Sequence, residues 1–408
     1  MSAPPTLSPA APPSFGGARL ADRYAAAHDR IFVTGTQALV RALLTQARLD
    51  TAAGHVTGGF VSGYRGSPLG GFDRDLAAAE TALAAANIRF TPGVNEELAA
   101  TAIWGAQQVG LFPGAKVEGV FGLWYGKGPG VDRAGDALKH ANLAGTSPRG
   151  GVLAVAGDDH AGISSTTAHQ SEFAFIDAQI PVLAPADVQD ILDLALAGIA
   201  LSRAAGLWVA LKCPSDVVEQ AATIDGALIR FAFDVPDTAK NDLHIRWPDR
   251  VTDSEARLAG PKISTALEFV RRNGLDRSFG RGPTSRIGII AAGKAWADVG
   301  EALDILRLDA AAREAAGIAL YKPAMVWPLE PEGLRAFAEG LDRVIVIEEK
   351  RPLIEPQIRD ILFDVATRPR VIGKSDLSAE HLDLALACVI TPAMVARALT
   401  PHLGDNTE

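Results

Sequence analysis

VEGVFGLWYG (117–126) is an almost unbroken apolar run of strand length, and two similar runs follow it, RGGVLAVAGDD (149–159) and AGLWVALKCP (205–214). Between the last two lies ADVQDILDLALAGIALSRAAG (186–206), whose length and apolar spacing are typical of a helix. Strands that are buried on both faces are continuously apolar, and helices between them cover a parallel sheet. The sequence therefore predicts an α/β fold with a doubly wound, mostly parallel sheet.

The same alternation extends in both directions along the chain. Upstream, TGTQALVRALLTQARLDTAAG (34–54) has the pattern of a helix, and VTGGFVSGY (56–64) has that of a strand. A second strand–helix series begins with RIGIIAAGKAWADVGEALDIL (286–306). This series predicts a second, smaller α/β unit after the first.

We predict four segments from these patterns. The first 17 residues are rich in Pro, Ala and Ser but lack a basic region and an apolar run, which indicates a disordered leader and not a signal peptide. A polar, mixed stretch separates the two α/β patterns. The expected segments are the leader at 1–17, the larger α/β domain at 18–213, a connector at 214–283 and the smaller domain at 284–408.

Composition excludes several classes of function. The 408 residues carry a net charge of -9, which opposes binding to nucleic acid or to an anionic membrane. Apolar runs are too short to span a bilayer. The two cysteines, Cys213 and Cys388, form no CxxC pair, so the chain alone offers no iron–sulfur or structural zinc ligands. We expect a cytoplasmic protein.

Common motifs of α/β enzymes are missing from the sequence. It has no GxGxxG after the first strand and no GxxxxGK[ST], which disfavours dinucleotide and P-loop nucleotide sites. It also has no GxSxG and no HExxH, which disfavours α/β-hydrolase and zincin chemistry.

GYRGSPLGGFD (63–73) follows a predicted strand and is rich in glycine. Glycines let a backbone approach a ligand closely, and open α/β sheets bind ligands at the carboxyl ends of their strands. The alternative is a tight strand-to-helix turn in which Ser67 caps the helix. From the residues alone both interpretations stay open.

NEELAATAIWGAQQVGLFPG (95–114) has the pattern of a helix that begins at Asn95. Asn95 is a good N-cap, and the helix dipole favours Glu96 and Glu97 in the first turn. That structural explanation competes with a catalytic role for either glutamate, and spacing does not decide between them.

A third polar region follows two of the apolar runs. Lys127 lies in a glycine-rich loop, and Asp158, Asp159 and His160 follow a predicted strand. Such clusters are typical of functional sites, although solvated loops with helix caps have the same composition. Consecutive side chains rarely converge on one ion, so we predict no metal site here.

Taken together, these segments resemble the N-terminal part of the indolepyruvate ferredoxin oxidoreductase family, from about Ile31 to Arg370. One such segment is weak evidence, whereas five in the same order are specific. They are SGYRGSPLGGFD (62–73), NEELAATAIWGAQQ (95–108), FGLWYGKGPGVDRAGDALKHAN (121–142), GDDHAGISST (157–166) and VIVIEEKRPLIEPQIRDIL (344–362).

The resemblance implies a pyrimidine-binding domain of a thiamine-diphosphate enzyme, followed by a transketolase-C-terminal-like domain. In this family a glutamate at the start of a Glu-x-x-Ala helix hydrogen-bonds N1′ of the aminopyrimidine. Glu96 with Ala99 matches that pattern, so Glu96 is preferred to Glu97 as the catalytic residue. We expect an apolar surround for its carboxyl group, such as Ile103 and Trp104.

The resemblance also assigns the glycine-rich loop. Gly66, Ser67 and Pro68 match a Gly-Thr-Pro-like turn that lies beside the cofactor and the substrate carboxylate. Ser67 stands where Thr is usual, and Arg65 stands where Pro is commoner. We therefore expect Arg65, Ser67 and Lys127 to contact the substrate carboxylate.

The sequence departs from the family in lacking a GDG triplet. Magnesium and diphosphate ligands and the iron–sulfur clusters are therefore expected on a partner subunit, through which ferredoxin and coenzyme A act. The expected function is one component of a homo- or hetero-oligomeric oxidoreductase for aryl or branched 2-oxoacids. The alternatives are a truncated, non-catalytic binding or oligomerisation module and a component of a non-oxidative 2-oxoacid decarboxylase.

Overall fold

The computed structural model describes residues 20–25, 30–237, 242–374, 381–384 and 389–403. The predicted leader, 1–17, and Cys388 lie outside these ranges. The strands are β1 (Arg30–Thr34), β2 (Thr57–Gly63), β3 (Ile88–Phe90), β4 (Gly119–Lys127), β5 (Val152–Gly157), β6 (Val182–Leu183), β7 (Trp208–Lys212), β8 (Ala221–Asp225), β9 (Arg277–Phe279), β10 (Ile287–Ala291), β11 (Ile318–Lys322), β12 (Met325–Trp327), β13 (Arg343–Ile347) and β14 (Arg370–Ile372).

Helices cover both sheets. They are α1 (Gly35–Ala52), α2 (Phe72–Ala78), α3 (Glu80–Ala85), α4 (Glu96–Ala106), α5 (Gly128–Arg133), α6 (Gly135–Ala144), α7 (Glu172–Asp177), α8 (Val188–Ala205), α9 (Ser215–Val218), α10 (Val251–Arg257), α11 (Ile263–Arg272), α12 (Lys294–Ile305), α13 (Ala310–Ala315), α14 (Pro331–Ala338), α15 (Ile354–Ile361) and α16 (Pro392–Leu399).

The larger sheet has the strand order β12-β6-β7-β5-β4-β2-β3. All of its pairs are parallel except the edge pair of β12 with β6. In β5, Leu153 and Val155 pack into the core on one face, and Ala154 and Ala156 pack into the core on the other. Burial on both faces explains the continuous apolar runs and confirms the predicted doubly wound, mostly parallel sheet.

The smaller sheet has the order β14-β13-β10-β11-β9, again parallel apart from its edge strand β9. Ile287–Ala291 and Ile318–Lys322 are wholly buried, as expected for central parallel strands. This sheet is the second α/β unit that the sequence predicts.

Residues 214–283, which we predicted to be a connector, pack closely against the larger unit. β8 pairs antiparallel with β1, and Phe231 and Phe269 lie in the same core as α1 and α8. β9 near the end of the segment joins the smaller sheet instead. The domain boundaries themselves stay a prediction.

Each sheet has a topological switch point, where successive connections lead to opposite sides of one strand. β3 lies on one side of β2 and β4 on the other, and β11 and β13 flank β10 in the same way. Ligands of open α/β sheets bind outside the carboxyl ends of strands at such points. Two crevices are therefore candidate sites: one beyond β2 and β4, the other beyond β10 and β13. None of the helices in the described ranges combines the length and apolar character needed to cross a membrane.

Candidate functional site

The first crevice contains the start of α4. Asn95 is in an extended conformation, and its side-chain oxygen accepts a hydrogen bond from the Leu98 amide at 2.8 Å, so the predicted N-cap is confirmed. Glu96 is the first residue of the helix and is only 8% exposed, whereas Glu97 is exposed. The cap therefore fixes which of the two glutamates turns inward.

Glycines at the end of β4 and in α5 make room for the Glu96 side chain. A Cβ atom at Gly130 would lie 2.6 Å from both Cγ and Oε1 of Glu96, and one at Gly126 would lie 3.4 Å from Cγ. The indole of Trp124 donates a hydrogen bond to the Glu96 backbone oxygen at 2.9 Å. Glu96 is thus a buried carboxyl group held between α4 and the end of β4.

The glycine-rich loop after β2 lies beside the same strand end. The Gly93 amide, just before α4, donates to the Gly63 oxygen at 2.8 Å. The side chain of Lys127 crosses over Gly66, where a Cβ atom would lie 2.9 Å from Lys127 Cδ. Pro68 packs against Gly157 at the end of β5. The candidate residues of the two loops therefore meet at one edge of the sheet.

Tyr125 fixes the far end of this loop. Its hydroxyl donates to Asp73 Oδ1 at 2.7 Å, and its ring packs edge-on against Phe72 with centroids 5.1 Å apart. Burial, reinforced by Asp73, raises the pKa of the Tyr125 phenol, so it remains a donor. Ser67 is not a helix cap, because α2 begins at Phe72 and Gly71 precedes it.

The expected substrate residues lie around the opening of the crevice. Arg65 and Ser67 are exposed, and Lys127 is half-buried. Within the described ranges no salt bridge joins Arg65 or Lys127 to another residue. The loops and strand ends that meet here thus carry a buried carboxyl group, Glu96, and two cations, Arg65 and Lys127; the cations suit an anionic ligand.

The consecutive side chains of Asp158 and Asp159 have different hydrogen-bond partners. Asp158 accepts from the Ser171 amide at 2.8 Å, and Asp159 accepts from the Ser164 amide at 2.6 Å and its hydroxyl at 3.0 Å. Burial opposes ionisation of Asp159, but these hydrogen bonds outweigh it and hold its pKa below the ordinary value. Among the described residues, no three His, Cys, Asp or Glu side chains are grouped so that they could hold a metal ion.

Two features of the crevice were missed from the sequence. Trp124 donates its indole N–H to the Glu96 backbone oxygen, and Trp104 packs against His140 on α6. Strand alternation offered a signal, because Trp124 and Gly126 are two residues apart and share a face.

The second missed feature is the pairing of His169 with Asp132 at 3.1 Å, beside Gly128. Their separation of 37 residues left no local signal.

Comparisons with known proteins show which proteins this chain is similar to. Residues 277–408 match the family model described as the indolepyruvate oxidoreductase domain. The chain is 26% identical over 361 residues to indolepyruvate oxidoreductase subunit IorA of Pyrococcus abyssi, covering 85% of this chain and 49% of that protein. The IorA subunit of Methanothermobacter thermautotrophicus is 24% identical over 355 residues, covering 85% and 51%. The chain thus spans about half the length of the curated relatives that it matches.

Solved structures show a similar fold. A 2-oxoglutarate:ferredoxin oxidoreductase from Magnetococcus marinus, with 2-oxoglutarate, coenzyme A and succinyl-CoA bound, superposes with a TM-score of 0.63 at 16% identity, covering 92% of this chain and 66% of that one. A split-gene transketolase, described as an inactive beta4 tetramer, superposes with a TM-score of 0.52 at 16% identity, covering 91% and 98%.

Proposed function

We propose that this chain, a relative of the indolepyruvate oxidoreductase subunits along 85% of its length, is the pyrimidine-binding component of a thiamine-diphosphate-dependent 2-oxoacid:ferredoxin oxidoreductase. The reaction converts a 2-oxoacid and coenzyme A into an acyl-CoA and carbon dioxide, and passes two electrons to ferredoxin. Aryl and branched 2-oxoacids are the proposed substrates.

The buried carboxyl group of Glu96 carries the proposal. Glu96 is the first residue of α4, beside the topological switch point of the larger sheet. Glycine at positions 126 and 130 leaves space around its side chain. A protein interior tolerates a carboxyl group best when a partner shares its proton or its charge. A ring nitrogen of a bound aminopyrimidine is such a partner.

In this proposal the residues of the crevice bind the cofactor and orient the substrate. Thiamine diphosphate, when bound, supplies the carbanion chemistry of decarboxylation. Glu96 holds a proton at N1′ of the pyrimidine ring, and Gly66, Ser67 and Pro68 form the wall beside the cofactor. Arg65, Ser67 and Lys127 orient the substrate carboxylate by charge and hydrogen bonding.

The proposed site is completed by a second subunit. The described residues contain no cluster of acidic side chains fit for a magnesium ion, so we propose that the partner subunit supplies the diphosphate and metal ligands together with the iron–sulfur clusters. The exposed edge of the crevice, which includes Arg65 and Ser67, is where that subunit would close the site.

Replacing Glu96 by Gln tests the assignment. In the complex with the diphosphate-binding subunit, Glu96→Gln is expected to lower kcat by at least about 100-fold, as for the loss of a general acid–base group. The measurement is 2-oxoacid-dependent reduction of ferredoxin with coenzyme A. Glu97→Gln, one residue away and exposed, is the matched control and should stay within about twofold of the unsubstituted complex. Equal activity of both variants would contradict the proposal.

A further inference from the structure

A second polar cavity lies where the carboxyl ends of the two sheets face each other. His160 and Lys212 line it from the larger unit, and Gly293, Lys294 and Glu349 line it from the smaller. Its volume is about 50 Å³. We call it the interdomain cavity. The cavity lies at the topological switch point of the smaller sheet. The proposed function assigns it no role.

Two side chains in the cavity have unsatisfied polar atoms. His160 is 4% exposed, and within the described ranges neither of its ring nitrogens has a hydrogen-bond partner. Its closest carboxylate atom, Glu349 Oε2, is 4.0 Å from Nδ1, too far for a hydrogen bond. Glu172 Oε2 also lacks a partner there. Buried polar atoms are rarely left in this state without a water or a ligand.

Lys212 adds donors to the same space. Its ammonium group donates to Glu172 Oε1 at 2.5 Å, and Asp158 Oδ2 is 4.0 Å away. An ammonium group has three N–H donors, so two are left for a ligand. Lys294, by contrast, is used fully by Asp298, Glu349 and the Ile390 oxygen.

The charge state of His160 is set by its burial and by nearby lysines. Burial and, after it, the charges of four lysines together lower the pKa of His160 to about 2. These lysines are Lys212, Lys350, Lys294 and Lys374. The imidazole is therefore neutral, with one N–H donor and one acceptor nitrogen that face the cavity.

The two helices that begin at this cavity differ. The amides at the start of α15 donate to the buried carboxylate of Glu348, with Leu353 and Ile354 both at 2.8 Å. α12 begins at the cavity wall with Lys294, and no side chain caps it. An anion in the cavity would accept hydrogen bonds from the first amides of α12, as the Glu348 carboxylate does from those of α15.

We propose that the interdomain cavity binds bicarbonate, held by Lys212 and His160. The volume has room for roughly three to five water-sized atoms at about 10–15 Å³ each, which matches an anion of four heavy atoms. The cavity offers N–H donors on Lys212 and His160, and acceptors on His160 and Glu172. Bicarbonate has acceptor oxygens and one O–H donor, whereas formate and nitrate have no donor. This inference does not depend on the proposed function.

Calorimetric titration of sodium bicarbonate into the purified chain tests the proposal, with ionic strength held constant by sodium chloride at pH 8. One saturable site is expected, with formate and nitrate binding at least about fivefold more weakly. His160→Leu and the pair Lys212→Met with Glu172→Gln should each weaken bicarbonate at least about tenfold, since each removes a charge-assisted or buried hydrogen bond. Heat without saturation would overturn the proposal, and so would formate binding as tightly as bicarbonate.

A matched control comes from another buried ion pair. Lys322 donates to Asp190 at 2.5 Å and does not line the cavity. The pair Lys322→Met with Asp190→Asn should leave bicarbonate affinity unchanged, and an equal loss in this control would overturn the proposal.

If the cavity variants do not fold, a crystal structure of the unsubstituted chain grown with bicarbonate decides. Anion density between Lys212 and His160 supports the site, and water alone contradicts it.

Discussion

At Gly130 the absence of a side chain gives Glu96 its position. A Cβ atom there would lie 2.6 Å from the carboxyl oxygen Oε1. Real Cβ contacts are longer, so any larger residue displaces the Glu96 carboxyl group. Because that group is the flexible end of a side chain, the backbone need not move. The fold and the function therefore respond differently to a methyl group at this position.

Gly130→Ala is predicted to separate the two effects. Alanine favours a helix over glycine by up to about 1 kcal/mol. Because this gain opposes the cost of displacing the Glu96 side chain, the free energy of unfolding should change little. Turnover in the complex with the diphosphate-binding subunit should fall at least about tenfold, because Glu96 is pushed away from the pyrimidine ring. Urea denaturation and the ferredoxin reduction assay measure the two quantities.

Gly135→Ala is the matched control for this substitution. Gly135 begins the next helix, and a Cβ atom there would meet nothing within 4 Å. Equal turnover of the two alanine variants would show that Gly130 makes no room that the reaction needs.

Lys262 is a buried base in the larger unit. Its ammonium group donates to the Gly206 oxygen at 2.8 Å, and burial, with a contribution from Arg257, lowers its pKa to about 7 from 10.5. Between these two pH values the unfolded chain binds more protons than the native chain. Stability from this group therefore rises with pH from about 7 to 10.5, and the full cost of the buried charge is present below pH 7.

Lys262→Met should remove that pH dependence. At pH 6 we expect the variant to be about 1 to 3 kcal/mol more stable than the unsubstituted chain, since a buried charge costs more than the lost hydrogen bond. The difference should shrink or reverse by pH 10. Urea denaturation at several pH values measures it, and a difference that stays constant with pH would be inconsistent with a lowered pKa.

Among the elements, β12 joins the two units. It follows β11 of the smaller sheet by two residues but pairs antiparallel with β6, at the edge of the larger sheet. Val326 of β12 lies in one continuous core with Trp208 of the larger unit and Phe337 of the smaller. Lys322 at the end of β11 pairs with Asp190 on α8 across the same boundary. Neither unit completes its core alone.

We therefore predict that the two units unfold together. Differential scanning calorimetry should show one transition whose calorimetric enthalpy equals its van't Hoff enthalpy, because separating the units would expose the shared core. Two resolved transitions would mean that β12 is a loose attachment and that each unit is stable by itself.

At the scale of the whole molecule, the sequence predicts the architecture better than the site. Apolar runs such as 149–159 identify buried parallel strands because both faces of the sheet are covered. Asn95 and Thr34 mark helix starts correctly because capping is local. The pairing of β12 with β6 could not be predicted, since it depends on where the chain goes after β11.

The candidate sites divide in the same way. Glu96 was singled out by a motif, and its burial between α4 and Gly130 agrees with that choice without testing its role. The interdomain cavity could not be predicted, although His160 and Glu349 lie in two of the segments quoted for the resemblance, because its residues come from separate loops or strand ends of two units. Only the folded arrangement brings such residues together.

Calorimetric titration of thiamine diphosphate with Mg²⁺ tests the central claim, that this chain supplies the pyrimidine half of a shared site. The account predicts no saturable, magnesium-dependent binding by the chain alone. With the diphosphate-binding subunit it predicts tight binding, which Glu96→Gln weakens and Glu97→Gln does not. Magnesium-dependent binding by the chain alone, with the same affinity as the complex, would contradict the account.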